Sequence, residues 1–235
     1  MTLNEFVLNS HLLATGQRTP PAVDTPEWKT YVDLANFYVD EWQNDSGVDW
    51  ASLYDPDFSI GSVTATDTFD IDLSVRKLSN REGDVVRIMW DDGVGYTDYA
   101  IVAHDKLKDH FAGQDKDSPS GNYCAKMGSQ LVFNKEFAST DDEFGGDIQV
   151  PVYLYADTLS DKDDEIPVDD PRWLVYTVVI DLIADDPKKQ NKYRRMLKSA
   201  DGSMQRMRDA NQGQIDVIDT PWTPLSGIGT DSAWS

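Results

Sequence analysis

The chain has 235 residues, 42 acidic against 21 basic side chains, a net charge of −21 and 11% aromatic residues. Its length fits one domain, or one domain with a sizeable insertion, and the aromatics supply a real core. The charge argues against free binding to nucleic acid, and a single cysteine, Cys124, leaves no internal disulfide framework.

Residues 3–13 read as a short helix with Leu3, Phe6, Val7, Leu12 and Leu13 on its apolar side. Thr25 before Pro26 suits an N-cap followed by proline at the first helical position. In the helix that follows, Trp28, Tyr31, Val32, Ala35, Tyr38, Val39 and Trp42 recur at three- and four-residue steps. From about Asp57 the period shortens to two. "TFDIDLSV" alternates with Phe69, Ile71, Leu73 and Val75 on one side, and "DVVRIMW" and "YTDYAIV" flank a turn at "DDGVG". A short helix is expected over His104–Phe111, then a surface loop. "SQLVFNKEF" and "DIQVPVYLYA" read as two more strands, the second placed at an edge or bulged because Pro151 cannot donate to a ladder.

After the acidic loop 157–170 the period is again helical. "PRWLVYTVVIDLIA" is rich in β-branched residues, but its length and its Asp–Pro start and stop favour a mostly buried helix. The next segment, 187–210, carries Tyr193, Met196, Leu197, Ala200, Met204 and Met207 as an apolar stripe, with a break or kink expected at Asp201–Gly202. From Asn211 onward no helix or strand is convincing. The succession of helices, strands and helices predicts an α+β fold, a helical bundle carrying an inserted β-sandwich or barrel-like region and an extended tail. Its parts are N-terminal bundle helices (1–56), a β-rich insertion (57–156), the acidic loop with the C-terminal bundle helices (157–211), and the tail (212–235).

Charge is the most informative pattern. Residues 187–210 hold eight basic side chains against Asp201 and Asp209, a net +6, while the rest of the chain carries −27. Such a dipole suits a surface that meets copies of the chain or an acidic partner, and Lys188, Lys192 and Arg195 are the candidate subunit-interface residues on one helical face. Two other readings stand beside it: the cations neutralise acids of their own subunit, or the helix faces DNA. In the tail, Ile215, Val217, Ile218, Trp222, Leu225 and Trp234 are too apolar for an idle terminus and fit an extended docking strand.

Candidate chemistry is sparse. No carboxylate pair is singled out for glycoside hydrolysis, and Cys124 in "NYCAKM" reads as a buried apolar thiol. The three histidines (His11, His104, His110) are scattered, and His104 and His110 stand six apart, off one helical face. "DTLSDKDDE" lacks the glycine of a calcium-binding EF-hand loop. No enzymatic activity, cofactor, dedicated metal site or membrane span is expected. The acids are 35 Asp against 7 Glu, a bias similar to that of proteins from strongly halophilic organisms, where molar salt shortens the screening length to about 3 Å.

The start "MTLNEFV…LLATG", then "LANFYVDEW", "DWASLYDPDFSI", "YLYADTLSDKDDEIPVDD" and a hydrophobic helix before "KYRRMLKSADGSMQRMRDAN" occur in an order that resembles the head-to-tail adaptor (connector) proteins of tailed viruses. The likeness spans roughly residues 2–211 and consists of layout and short words. It implies a non-enzymatic virion protein at the head–tail junction, held in the host cytoplasm before assembly. It also implies a dodecameric ring below the portal, with DNA passing through the channel without specific binding. The tail would dock on the portal protein and the opposite face would meet a tail or neck completion protein. Asp161, Asp163 and Asp164 would border the channel or ring edge. The extreme Asp content fits a virus of a halophilic host. The rival expectation is an acidic DNA mimic that inhibits a nucleic-acid enzyme.

Overall fold

Helix formation begins at the second residue. Thr2 accepts a hydrogen bond from the Glu5 amide (3.3 Å) and the Glu5 carboxylate accepts from the Thr2 amide (3.1 Å), a reciprocal cap that starts α1, Leu3–Thr15. The computed structural model describes residues 1–219 except Ser46, Asn80, Glu82, Asp91 and 112–120, and leaves aside the side chains of 108–111 and 213–219. On α1, Leu3, Phe6 and Val7 are buried as expected. The rest of the buried face is Ser10, His11 and Ala14, while Leu12 is exposed, because the 100° step carries the core-facing stripe past it. α2, Pro26–Gln43, opens as the sequence predicts, with Thr25 accepting from the Trp28 amide (3.2 Å), and it buries Trp28, Tyr31, Ala35, Val39 and Trp42.

The remaining helices are α3, His104–Phe111, α4, Pro171–Ile183, and α5, Gln190–Asp219, which follows a single 3-10 turn at Pro187–Lys189. Helices α1, α2 and α5 all pack against α4. That explains the continuous apolar run of α4: Trp173, Leu174, Val175, Val178, Val179 and Ile183 are buried against neighbours on several sides, so no amphipathic stripe is needed. α5 passes through Asp201–Gly202 without the expected break. It also continues to Asp219, so residues 212–219 are helical and the expectation of an extended tail from 212 is corrected.

The strands are β1, Tyr54–Ser62, β2, Thr68–Asp70, β3, Val75–Leu78, β4, Val85–Met89, β5, Tyr96–Ile101, β6, Tyr123–Met127, β7, Gln130–Phe133, and β8, Asp147–Leu154. They form one mixed sheet in the order β1-β8-β4-β5-β6-β7-β2, with β3 attached to β8 off that path. The sheet curls, because residues far apart along the path, Leu131 and Phe133 of β7 and Val150 and Val152 of β8, share one apolar cluster with Val86, Ile88 and Tyr99. This overturns the expected helical bundle with an inserted sandwich. Among the described residues no second sheet faces the first, and the curled sheet organises the interior. β8 joins the two halves: Ile148, Val150 and Val152 enter the sheet cluster, while Tyr153 points to the cluster formed with the helices.

Three strand expectations change for identifiable reasons. The alternating "TFDIDLSV" is two strands, separated by a turn in which the Asp72 carboxylate accepts from the Ser74 amide (2.7 Å), and this turn leaves Leu73 91% exposed. β8 is central rather than an edge. Pro151 is tolerated there because β1 carries an extra residue opposite it, between Asp55 and Phe58, a bulge that needs no donor from the proline. β6, not foreseen, pairs in parallel with β5 across a connection containing α3, and it buries Cys124 completely.

Candidate assembly surface

The basic segment divides into two groups. A helix leaves its last four carbonyls without intrahelical partners. On α1 the Leu12 carbonyl takes the Gly16 amide (2.9 Å), whereas the Leu13 and Ala14 carbonyls are met from another element. Lys192 Nζ donates to Leu13 O, and Lys189 Nζ donates to Ala14 O (3.0 Å). α1 has no basic residue in its own last turn, so Lys189 of the 3-10 turn and Lys192 of α5 supply the positive charge that its dipole favours there. Further along, Arg206 reaches Ser203 Oγ (2.7 Å) and lies 3.6 Å from Asp170, and Arg208 pairs with Asp45 (2.7 Å).

The other four cations, Lys188, Arg194, Arg195 and Lys198, are exposed and have no ion-pair partner among the described residues. Arg194, Arg195 and Lys198 lie on the side of α5 opposite Ala200, Ser203 and Met207, which are buried. The predicted interface triad is therefore split. Lys188 and Arg195 have no ion-pair partner among the described residues, while Lys192 is turned toward α1 and its charge is used inside the chain. Arg194 and Lys198 take its place.

The acidic loop serves the opposite end of α1. The Leu3 amide donates to Asp164 O (2.8 Å), the Asn4 amide donates to Lys162 O (2.9 Å), and Thr2 and Glu165 form an isolated antiparallel bridge. The Asp164 carboxylate accepts from the Ser160 and Asp161 amides (both 2.7 Å), bonds that hold it below the usual carboxylate range. Asp161 accepts from the Asp163 amide (2.9 Å), and Asp163 pairs with Lys162 (2.9 Å). The three predicted ring-edge acids thus shape a turn whose backbone carbonyls accept from the first free amides of α1. α1 is held by the carbonyls of this loop at its start and by lysine at its end.

Nearby lies a cleft of about 350 Å³ lined by Asp169, Asp170, Arg172, Arg206, Met207, Ala210 and Asn211. Asp170 caps α4 through the Arg172 amide (3.2 Å) and also accepts from Arg172 Nε (2.9 Å) and Ser203 Oγ (2.8 Å). Desolvation alone would raise its pKa, but these bonds outweigh that and hold the carboxyl below its usual value. With both oxygens engaged, Asp170 is a joint between α4 and α5 rather than a free acid or base. Among the described residues, no group of three or more His, Cys, Asp or Glu is placed to hold a metal ion, and no helix is long and apolar enough to cross a membrane.

Asn211 was not foreseen as a fixing residue. Its side chain accepts from the Ala51 amide (2.6 Å) and donates to Asp49 O (2.9 Å), tying α5 to the segment that enters β1. Both partners lie some 160 positions away, so no local pattern marks them. Of the predicted docking residues, Ile215, Val217 and Ile218 sit on the last turns of α5, whereas Trp222, Leu225 and Trp234 lie outside the described residues. In comparisons with known proteins, no family model matches the chain and no curated protein matches it.

Proposed function

We propose that the protein is a non-enzymatic assembly component, a head-to-tail adaptor of a tailed virus, built from copies of itself. The observation that carries this reading is a cationic face of α5 that has no ion-pair partner among the described residues, on a chain of charge −21. An exposed row of like charge in such a molecule is most readily stabilised by an acidic surface from outside the chain. The ordered words shared with adaptors supply the specific setting, a ring beneath the portal through which DNA passes without specific contacts. The fold expected from that likeness is not the one observed, so the reading rests on the charged surface and the shared words.

Within this reading, the segment beyond α5, which includes Trp222, Leu225 and Trp234, docks on the portal, and α5 carries it away from Asn211 by about two turns. The Asp-rich surface fits a halophilic host, where salt screens the self-repulsion. A DNA mimic would present acid without a cationic face.

The test is quantitative mass spectrometry of purified virus particles, scaled to the major capsid protein. About a dozen copies per particle is the expected result on closed-ring symmetry. Absence from particles would overturn the adaptor reading and leave the DNA mimic as its successor. Removing 220–235 should abolish portal binding while leaving the fold intact.

A further inference from the structure

α2 presents a face that mirrors the one on α5. Asp33, Phe37, Asp40 and Glu41 stand at i, i+4, i+7 and i+8 and are all exposed. Phe37 is 54% exposed, an unusual position for an aromatic ringed by carboxylates. The three acids have no ion-pair partner among the described residues, and Asp40 accepts only from the neutral amides of Gln43 (2.8 Å) and Asn44 (3.0 Å). On α5, Leu197 is 42% exposed and stands one turn from Arg194 and Asp201, with Lys198 next to it in sequence and Arg195 farther round the helix. Each face therefore combines one exposed apolar side chain with three charges of one sign, and the signs are opposite; each also carries one charge of the other sign a turn away, Lys29 before Asp33 and Asp201 after Leu197.

We infer that the α2 face of one copy receives the α5 face of a second copy, with Phe37 against Leu197 and Asp33, Asp40 and Glu41 against Arg194, Arg195 and Lys198. Both faces are exposed in the single chain, so neither covers the other. Because the two faces differ, the contact is head to tail, and it propagates into a ring where the rotation closes or into a filament where it does not. The inference rests on the reading that copies of this chain assemble, and it adds which surfaces meet. Opposite charges facing one another set the register, and the apolar pair supplies a contact that salt does not screen.

The test uses the full chain and light-scattering mass measurements at about 0.15 M and at molar salt. The wild type is expected to be oligomeric. Reversing α5 (Arg194→Glu, Arg195→Glu, Lys198→Glu) or α2 (Asp33→Lys, Asp40→Lys, Glu41→Lys) should each give a folded monomer by circular dichroism. Mixing the two variants, or combining all six changes in one chain, should restore the oligomer. As a second measurement, Phe37→Cys with Leu197→Cys should form disulfide-linked multimers on oxidation, and neither change alone should extend beyond a dimer. A wild type that is monomeric at both salts, an oligomer that survives either reversal, or a folded six-fold variant that stays monomeric would overturn the pairing. Particle composition tests the adaptor reading separately: an oligomer with the α2–α5 contact that is missing from virions would refute the adaptor and keep the pairing.

Discussion

Lys192→Met separates a cation used within the chain from one offered to a partner. The substitution keeps the apolar stem and removes the charged donor that meets the Leu13 carbonyl. A hydrogen bond to a charged group contributes about 1.5–3 kcal/mol, and a cation at a helix C-terminus adds about 0.3–1 kcal/mol. The side chain is only partly buried, so the lower half of the combined range applies, about 2–3 kcal/mol. For a chain of this size each kcal/mol moves Tm by about 2–4 °C, so a fall of about 7 °C is expected. Lys198→Met, on the free face, should change stability by less than about 0.5 kcal/mol. The assay is urea unfolding of dilute monomer, supported by hydrogen exchange in the last turn of α1, which should accelerate only in the Lys192 variant. Equal, small losses for both substitutions would refute the assignment of Lys192 to α1, and so would loss of assembly by Lys192→Met without loss of stability.

Three further outcomes follow from the interior. Asp170→Ala should cost about 1–2 kcal/mol near pH 7, the size of a lost N-cap with charged bonds. Because the folded pKa of Asp170 is lowered, its contribution is complete above the unfolded value of about 3.9 and is lost as pH falls through the folded value. The gap between variant and wild type in urea titrations should therefore narrow below about pH 4; a gap that stays constant there would count against it. Trp50 is fully buried, stacks on Trp42 at 5.1 Å and donates to the Trp42 carbonyl (2.7 Å) at the end of α2. Trp50→Ala should destabilise by about 3–5 kcal/mol, and a loss under 1 kcal/mol would show that this joint contributes little. Burial pushes the Cys124 thiol well above its ordinary pKa. A thiol reagent at pH 8 should label it only after denaturant is added, and rapid labelling of the folded chain would show that β6 is not buried as described.

Local chemistry made much of the fold legible in the sequence. Thr25–Pro26 and Asp170–Pro171 start helices because a side-chain oxygen before proline satisfies the first free amides, whatever the chain does elsewhere. The stripe from Trp28 to Trp42 needed only the helical repeat, and β4, β5 and their turn needed only alternation and glycine. The errors arose where a residue's environment is set by distant strands. Pro151 reads as an edge residue until the bulge in β1 is seen opposite it, and Leu73 reads as core until the Asp72 turn swings it outward. The interior was assigned to helices because periodicity reports which side of an element is buried and not which element it is buried against.

The candidate surface divides in the same way. That the chain carries opposite charges in separate segments was determined by sequence alone, since the number and order of Lys, Arg and Asp do not depend on folding. Which of those charges remain free was decided only by tertiary structure. Lys189 and Lys192 differ from Arg195 and Lys198 in nothing a sequence records. They are used inside the chain because α1 ends beside them with two carbonyls unmet, and a charge so placed is worth more to its own fold than to a partner.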